Sequence, residues 1–81
     1  MARRGVRISG AAGLHARPAA ELVRVAQAHP GGIRIIAGGV TVDAASILSV
    51  MALTLGHGEE VVLEADGPDA PAALDVAARL L

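Results

Sequence analysis

The chain of 81 residues contains no phenylalanine, tyrosine or tryptophan. Its core must therefore be built from alanine, valine, leucine and isoleucine, which supply nearly all of the 53% hydrophobic content. It also has no cysteine. Disulfides, a thiolate nucleophile and a zinc–thiolate site are thereby excluded, which fits a reducing compartment. An excess of charge of one sign is missing too: seven basic residues face eight acidic ones, for a net charge of -1. Nothing in that balance draws the chain to nucleic acid. No apolar run is long enough to span a bilayer, so membrane insertion is not expected. Met1-Ala2-Arg3-Arg4-Gly5 is basic, but no long apolar run follows it, and the reading expects a cytoplasmic protein without a signal peptide. Repeats, linkers and low-complexity tracts are also lacking, and residues 1–81 read as a single domain. A domain of this size has little room for a deep substrate pocket. It suits a protein that presents one reactive group to larger partners.

What is present is a regular alternation of patterns. Arg4 to Ser9 alternates apolar and polar, which predicts a strand with Val6 and Ile8 inward. Gly10 to Leu14 reads as a loop. From Ala16 the period becomes helical, with Ala19, Leu22, Val23 and Ala26 on one stripe and Pro18 in the first turn. Glu21 reads as early and Arg24 as late in this helix, in the sense its dipole prefers. His29-Pro30-Gly31-Gly32 stops it.

Ile33–Ala37 and Val40–Val42 are β-branched runs joined by Gly38-Gly39, a hairpin signal. Capping side chains from Asp43 to Ser46 precede a short helix over 47–53. Glu60–Ala65 is a fourth strand, with Val61, Leu63 and Ala65 on one face. A last helix starts at about Ala70, with Asp69 as its cap and Ala73, Leu74, Ala77 and Leu81 as its apolar stripe. The expected fold is α+β: a two-layer, open-faced sandwich in the order βαββαβα, with a sheet covered on one face by helices.

Gly13-Leu14-His15-Ala16-Arg17-Pro18-Ala19 carries the chemistry. It sets a histidine immediately before a helix, where the first backbone N–H groups have no intrahelical acceptor. Those donors and the positive end of the dipole suit a phosphate, and Arg17 adds a guanidinium that pairs well with phosphate oxygens. A neutral imidazole there can attack a phosphoryl group, and positioning with charge stabilisation is most of what such a transfer asks of a protein. Gly13 reads as leaving space for a partner to approach. On spacing alone, a helix end that binds an anion without covalent chemistry would look the same.

The other polar residues carry less. His29 and His57 lack partners at metal-ligand spacing, and both read as surface turns; no metal or cofactor is expected. Arg3, Arg4 and Arg7 read as a solvated strand face, as do Glu59, Glu60 and Glu64. Ser46 can serve as a helix N-cap, which is reason enough for a serine. In the short helix, residues 47, 48 and 51 form one stripe, and Val50 and Leu53 another. The second stripe reads as core, and Leu48 and Met51 read as an exposed docking surface, which flexible methionine suits.

The segment Gly13–Ala19 resembles the active-site signature of the HPr family, the histidine-containing phosphocarriers of the bacterial phosphoenolpyruvate-dependent sugar phosphotransferase system. Asp43-Ala44-Ala45-Ser46-Ile47-Leu48-Ser49-Val50-Met51 resembles the family's second signature, around a regulatory serine. The resemblance extends over nearly the whole chain, and the family fold has the same element order. It implies that His15 is phosphorylated on Nδ1 by phospho-Enzyme I and donates to Enzyme IIA domains of sugar permeases. It implies that Arg17, with the backbone of Ala16 and Arg17, holds the phosphoryl group. Ala20, Arg24, Ile47, Leu48 and Met51 match docking positions, and Ser46 matches a serine that HPr kinase/phosphorylase modifies in many members.

Three departures stand out: Ala45 where lysine is frequent, Ser49 where glycine is common, and Thr54 where glycine is usual. Such a protein is a monomeric, stoichiometric shuttle rather than a true catalyst. The alternatives are a regulatory module that acts by docking alone, or a carrier of a nitrogen-regulatory or dihydroxyacetone kinase branch.

Overall fold

A computed structural model describes residues 1–11 and 13–81. Ala12, within the expected loop before His15, lies outside the described residues. The elements run β1 (Ala2–Arg7), α1 (Ala16–Ala28), β2 (Ile33–Ala37), β3 (Val40–Asp43), α2 (Ile47–Ala52), β4 (Glu60–Ala65) and α3 (Ala70–Arg79). The order is the expected one. The first strand begins two residues earlier than the alternation suggested and ends before Ile8, which is nonetheless buried.

The strands form one antiparallel sheet in the order β1-β4-β2-β3. The β4 strand lies inside the sheet, and alternate residues Val61, Leu63 and Ala65 face the helices. Ile35 stands opposite Leu63 and Ile33 opposite Ala65, which sets the register of the core. Onto this face α1 brings Ala19, Leu22, Val23 and Ala26, all buried, and α3 brings Ala70, Leu74 and Ala77. Burying each leucine of this core favours folding by roughly 1.5–3 kcal/mol.

At the β2–β3 turn both Gly38 and Gly39 have positive φ, 56° and 80°. That is the requirement of the tight two-residue hairpin the sequence signalled. The second face of the sheet is open, and its polar side chains are not simply solvated. Arg3 and Arg34 both bridge to Glu64, Arg34 also reaches Asp66, and Arg7 bridges to Glu60. Register explains the pairs across β1 and β4, since Arg3 stands opposite Glu64 and Arg7 opposite Glu60. Two expectations are corrected here. Glu64 is 6% exposed rather than solvated. Arg4 shares the helix side with its cross-strand partner Leu63 and bridges to Asp75 of α3.

Candidate functional site

The site is assembled from the start of α1, the loop before it and the segment that leaves α2. His15 is the N-cap of α1, with extended backbone angles (φ -112°, ψ -178°) that turn the chain into the helix. Its side chain makes no capping hydrogen bond and is exposed. The first turn is then short of donors that are already engaged. Ala19 donates to the His15 carbonyl at 3.1 Å and Pro18 has no N–H, so Ala16 and Arg17 carry the open amides. Neither has an acceptor among the described residues. Arg17 is exposed, and no carboxylate among the described residues pairs with it. Three consecutive residues at the positive end of a helix thus carry an imidazole without a capping bond, two open amides and a guanidinium.

The loop that delivers His15 is held mainly by backbone. Gly13 donates to the Gly10 carbonyl at 2.9 Å, closing a turn, and Leu14 donates to the Leu55 carbonyl at 2.9 Å. Gly13 is buried with φ +74°, and a Cβ there would stand 2.5 Å from the Leu55 carbonyl oxygen. The expectation that Gly13 makes room for a partner is corrected: the space is filled by the chain's own backbone at Leu55 and Gly56. Leu55 reaches Gly13 because α2 ends early. Leu53 is the C-cap, and Thr54 takes φ +49°, the left-handed value usual for the residue after a helix. Thr54 is the one non-glycine with positive φ among the described residues.

Beside the site, α2 divides its side chains as the two-stripe reading anticipated. Val50 is buried and Leu53 half-buried against the core, whereas Leu48 is 81%, Met51 39% and Ile47 38% exposed. Ser46 is the N-cap, and its hydroxyl accepts from the Ser49 amide at 3.3 Å. The Asp43 carboxylate accepts from the Ala45 amide at 2.9 Å and shapes the approach. Arg24 is exposed on α1 without an ion-pair partner among the described residues, and Ala20 is half-buried.

Three finer expectations fail. Neither Glu21 nor Arg24 lies in a terminal turn of α1: both stand in the middle of the helix Ala16–Ala28. Asp69 occupies the N-cap position of α3 but makes no side-chain cap bond. His29 is not a loose surface residue: it is 9% exposed, and its Nε2 donates to the Asp66 carbonyl at 2.8 Å. A groove of about 610 Å³ beside α2, lined by Val42, Leu53 and Leu55 among others, includes neither His15 nor Arg17. No group of three metal-ligating side chains occurs among the described residues, and no helix described is long and apolar enough to cross a membrane.

An open-faced sandwich with an exposed histidine that makes no capping bond at a helix mouth suits a small carrier of phosphoryl groups. Comparison with known proteins makes the class specific. The family described as "PTS HPr component phosphorylation site" matches residues 2–81. The phosphocarrier protein HPr of Streptomyces coelicolor is 46% identical, covering 100% of this chain and 88% of its own length. That of Treponema pallidum is 43% identical over 93% of this chain and 85% of its own. The crystal structure of a phosphocarrier protein HPr from Bacillus anthracis superposes with a TM-score of 0.89 at 36% identity, covering 99% of this chain and 95% of that one. The chain belongs to the HPr family and is a phosphocarrier of the phosphotransferase system.

Proposed function

We propose that His15 is the residue that carries the phosphoryl group, accepted from phospho-Enzyme I and passed to Enzyme IIA domains of sugar permeases. The observation that supports this most directly is an exposed N-cap histidine whose ring makes no hydrogen bond among the described residues. In a neutral ring protonated on Nε2, Nδ1 keeps its lone pair. That lone pair forms a bond to phosphorus as the bond to the donor breaks, and the electron pair of the broken bond leaves with the donor. The phosphoryl oxygens then face the amides of Ala16 and Arg17 and the Arg17 guanidinium. In the return step the IIA nucleophile attacks phosphorus, and the pair of the P–N bond goes back to His15.

Docking falls to the surface around this point. Leu48, Met51 and Ile47 form an apolar patch on α2, while Ala20 and Arg24 extend it along α1. Ser46, half-buried at the start of α2, is the position for regulatory phosphorylation by HPr kinase/phosphorylase. A phosphate there would place negative charge inside the docking patch and weaken the approach of Enzyme I. The carrier is a single-domain, monomeric shuttle that works in the cytoplasm.

The test is phosphorylation with Enzyme I and phosphoenolpyruvate, followed by mass mapping. One acid-labile phosphate on His15, absent from His15→Ala, is expected. A phosphate elsewhere, or one retained by His15→Ala, would overturn the assignment. For Ser46, incubation with the kinase and ATP should add one acid-stable phosphate, and its absence would end that part.

A further inference from the structure

His57 belongs to none of the groups named so far. It lies in the turn between α2 and β4, exposed, and its Nδ1 stands 3.0 Å from the Gly10 carbonyl oxygen. A carbonyl can only accept, so Nδ1 donates. Gly10 is the residue whose carbonyl also closes the turn to Gly13, directly before Leu14 and His15. The turn has glycine at both ends, and glycine offers the backbone more freedom than any other residue. We infer that His57 is a positioning residue: by holding the Gly10 carbonyl from outside, it fixes the turn that aims His15.

The neighbourhood of His57 is built to hold it still. Gly58 donates to the Ile8 carbonyl and Ile8 to the Glu59 carbonyl, each at 2.8 Å. The Glu59 carboxylate accepts from the Gly56 amide at 2.7 Å. The segment that carries His57 is thus anchored to the exit of β1 and closed on itself. It bonds the His15 loop at two places, through backbone at Leu55 and through the ring of His57. The second of these is a side-chain bond, so it can be removed by substitution without breaking the chain's backbone ladder.

The role follows from His15 being the acceptor, so the test separates the two. His57→Asn keeps an N–H donor as many bonds from Cα as Nδ1, and His57→Leu keeps the branched shape without a donor. Three measurements are made on each: amide exchange at Gly13 and Leu14, thermal unfolding, and the rate of phosphoryl transfer from phospho-Enzyme I over a range of its concentration. His57→Leu should exchange faster at Gly13 and transfer about three- to tenfold more slowly at saturation, the scale of one hydrogen bond. Its half-saturating concentration should stay put, because the docking side chains are untouched. His57→Asn should match the parent in both exchange and rate. Unchanged Gly13 exchange in His57→Leu would overturn the inference. So would equal slowing in the Asn and Leu variants, which marks a general structural role. A phosphate mapped away from His15 would remove the proposed function instead, and the exchange measurement would still decide whether His57 holds the turn.

Discussion

Two histidines stand at the two ends of α1, and the protein treats them in opposite ways. His29, at the C-terminal end, is 9% exposed and spends its Nε2 on the Asp66 carbonyl. Its own amide donates back to Val25 and Ala26, and its carbonyl accepts from Gly32, which finishes the helix. His15, at the N-terminal end, is exposed, and its side chain makes no hydrogen bond among the described residues. A buried polar ring must be hydrogen-bonded, whereas an exposed ring left without partners keeps its lone pair for chemistry. The same residue type therefore serves structure at one end of a helix and, in the function proposed for His15, transfer at the other. The difference lies in burial and in what the neighbouring backbone offers.

The sharpest way to break that contrast is to remove each ring in turn. His15→Ala should abolish uptake of the phosphoryl group from phospho-Enzyme I while leaving the free energy of unfolding within about 0.5 kcal/mol of the parent, the usual range for an exposed site. His29→Ala should keep uptake and lose stability by about 2 kcal/mol, because it leaves the Asp66 carbonyl without its donor and opens a gap under α1. Parallel denaturant unfolding and phosphorylation assays check both. A His29→Ala variant that folds as well as the parent would show that the buried ring contributes nothing, and the contrast would fail.

How far this contrast could be read in the sequence depends on what each residue touches. The order of elements, the hairpin glycines and the division of α2 into two stripes were legible, because hydrophobic period and turn chemistry are local. So was His15, because a histidine before Pro18 and a helical stripe fixes its place at a helix start. His29 was misread, since nothing nearby announces the Asp66 carbonyl, 37 positions further along the chain. Arg4 failed for the same reason: its partner Asp75 is brought to it only by the packing of α3 on the sheet. Gly13 reads in the sequence as leaving room for a partner, and that fails because the room is taken by Leu55, which lies more than forty positions further on. His57 was missed because a ring bonded to a distant carbonyl leaves no local signal.

Gly13 sharpens the comparison from the backbone side. At the His29 end, Gly31 and Gly32 have positive φ and no contacts that a Cβ would overlap seriously. At the His15 end, a Cβ on Gly13 would collide with Leu55 and Gly56 as well as meet an unfavourable φ. Gly13→Ala should therefore cost roughly 3 kcal/mol of stability and slow transfer as His15 is displaced. Gly31→Ala, strained in φ alone, should cost about 1 kcal/mol. Chemical unfolding of the pair tests the difference, and equal losses would mean that the packing on Leu55 is slack.

Arg17 is the charged half of the contrast, since the His29 end of α1 has no basic residue in its last turn. Arg17→Ala should slow transfer about tenfold, the weight of one charge-assisted contact to a phosphoryl group, with no change in the unfolding midpoint. Single-turnover transfer from phospho-Enzyme I measures it. Transfer at the parent's rate would remove Arg17 from the site.

The smallest effect is expected where the His15 loop is braced from behind. Thr54 sits at φ +49°, a region that suits glycine and strains a β-branched residue. Its hydroxyl recovers part of that by donating to the Leu53 carbonyl at 2.8 Å, but the pair is exposed and competes with water. Thr54→Gly would relieve the strain while giving the unfolded chain more freedom, two terms of opposite sign. The steric term is the larger, and a net gain of about 0.5–1 kcal/mol is expected, read as a higher denaturant midpoint at unchanged slope. A loss of stability would show that the threonine is at ease in this turn. The exit of α2 would then be held by its hydroxyl rather than merely tolerating it.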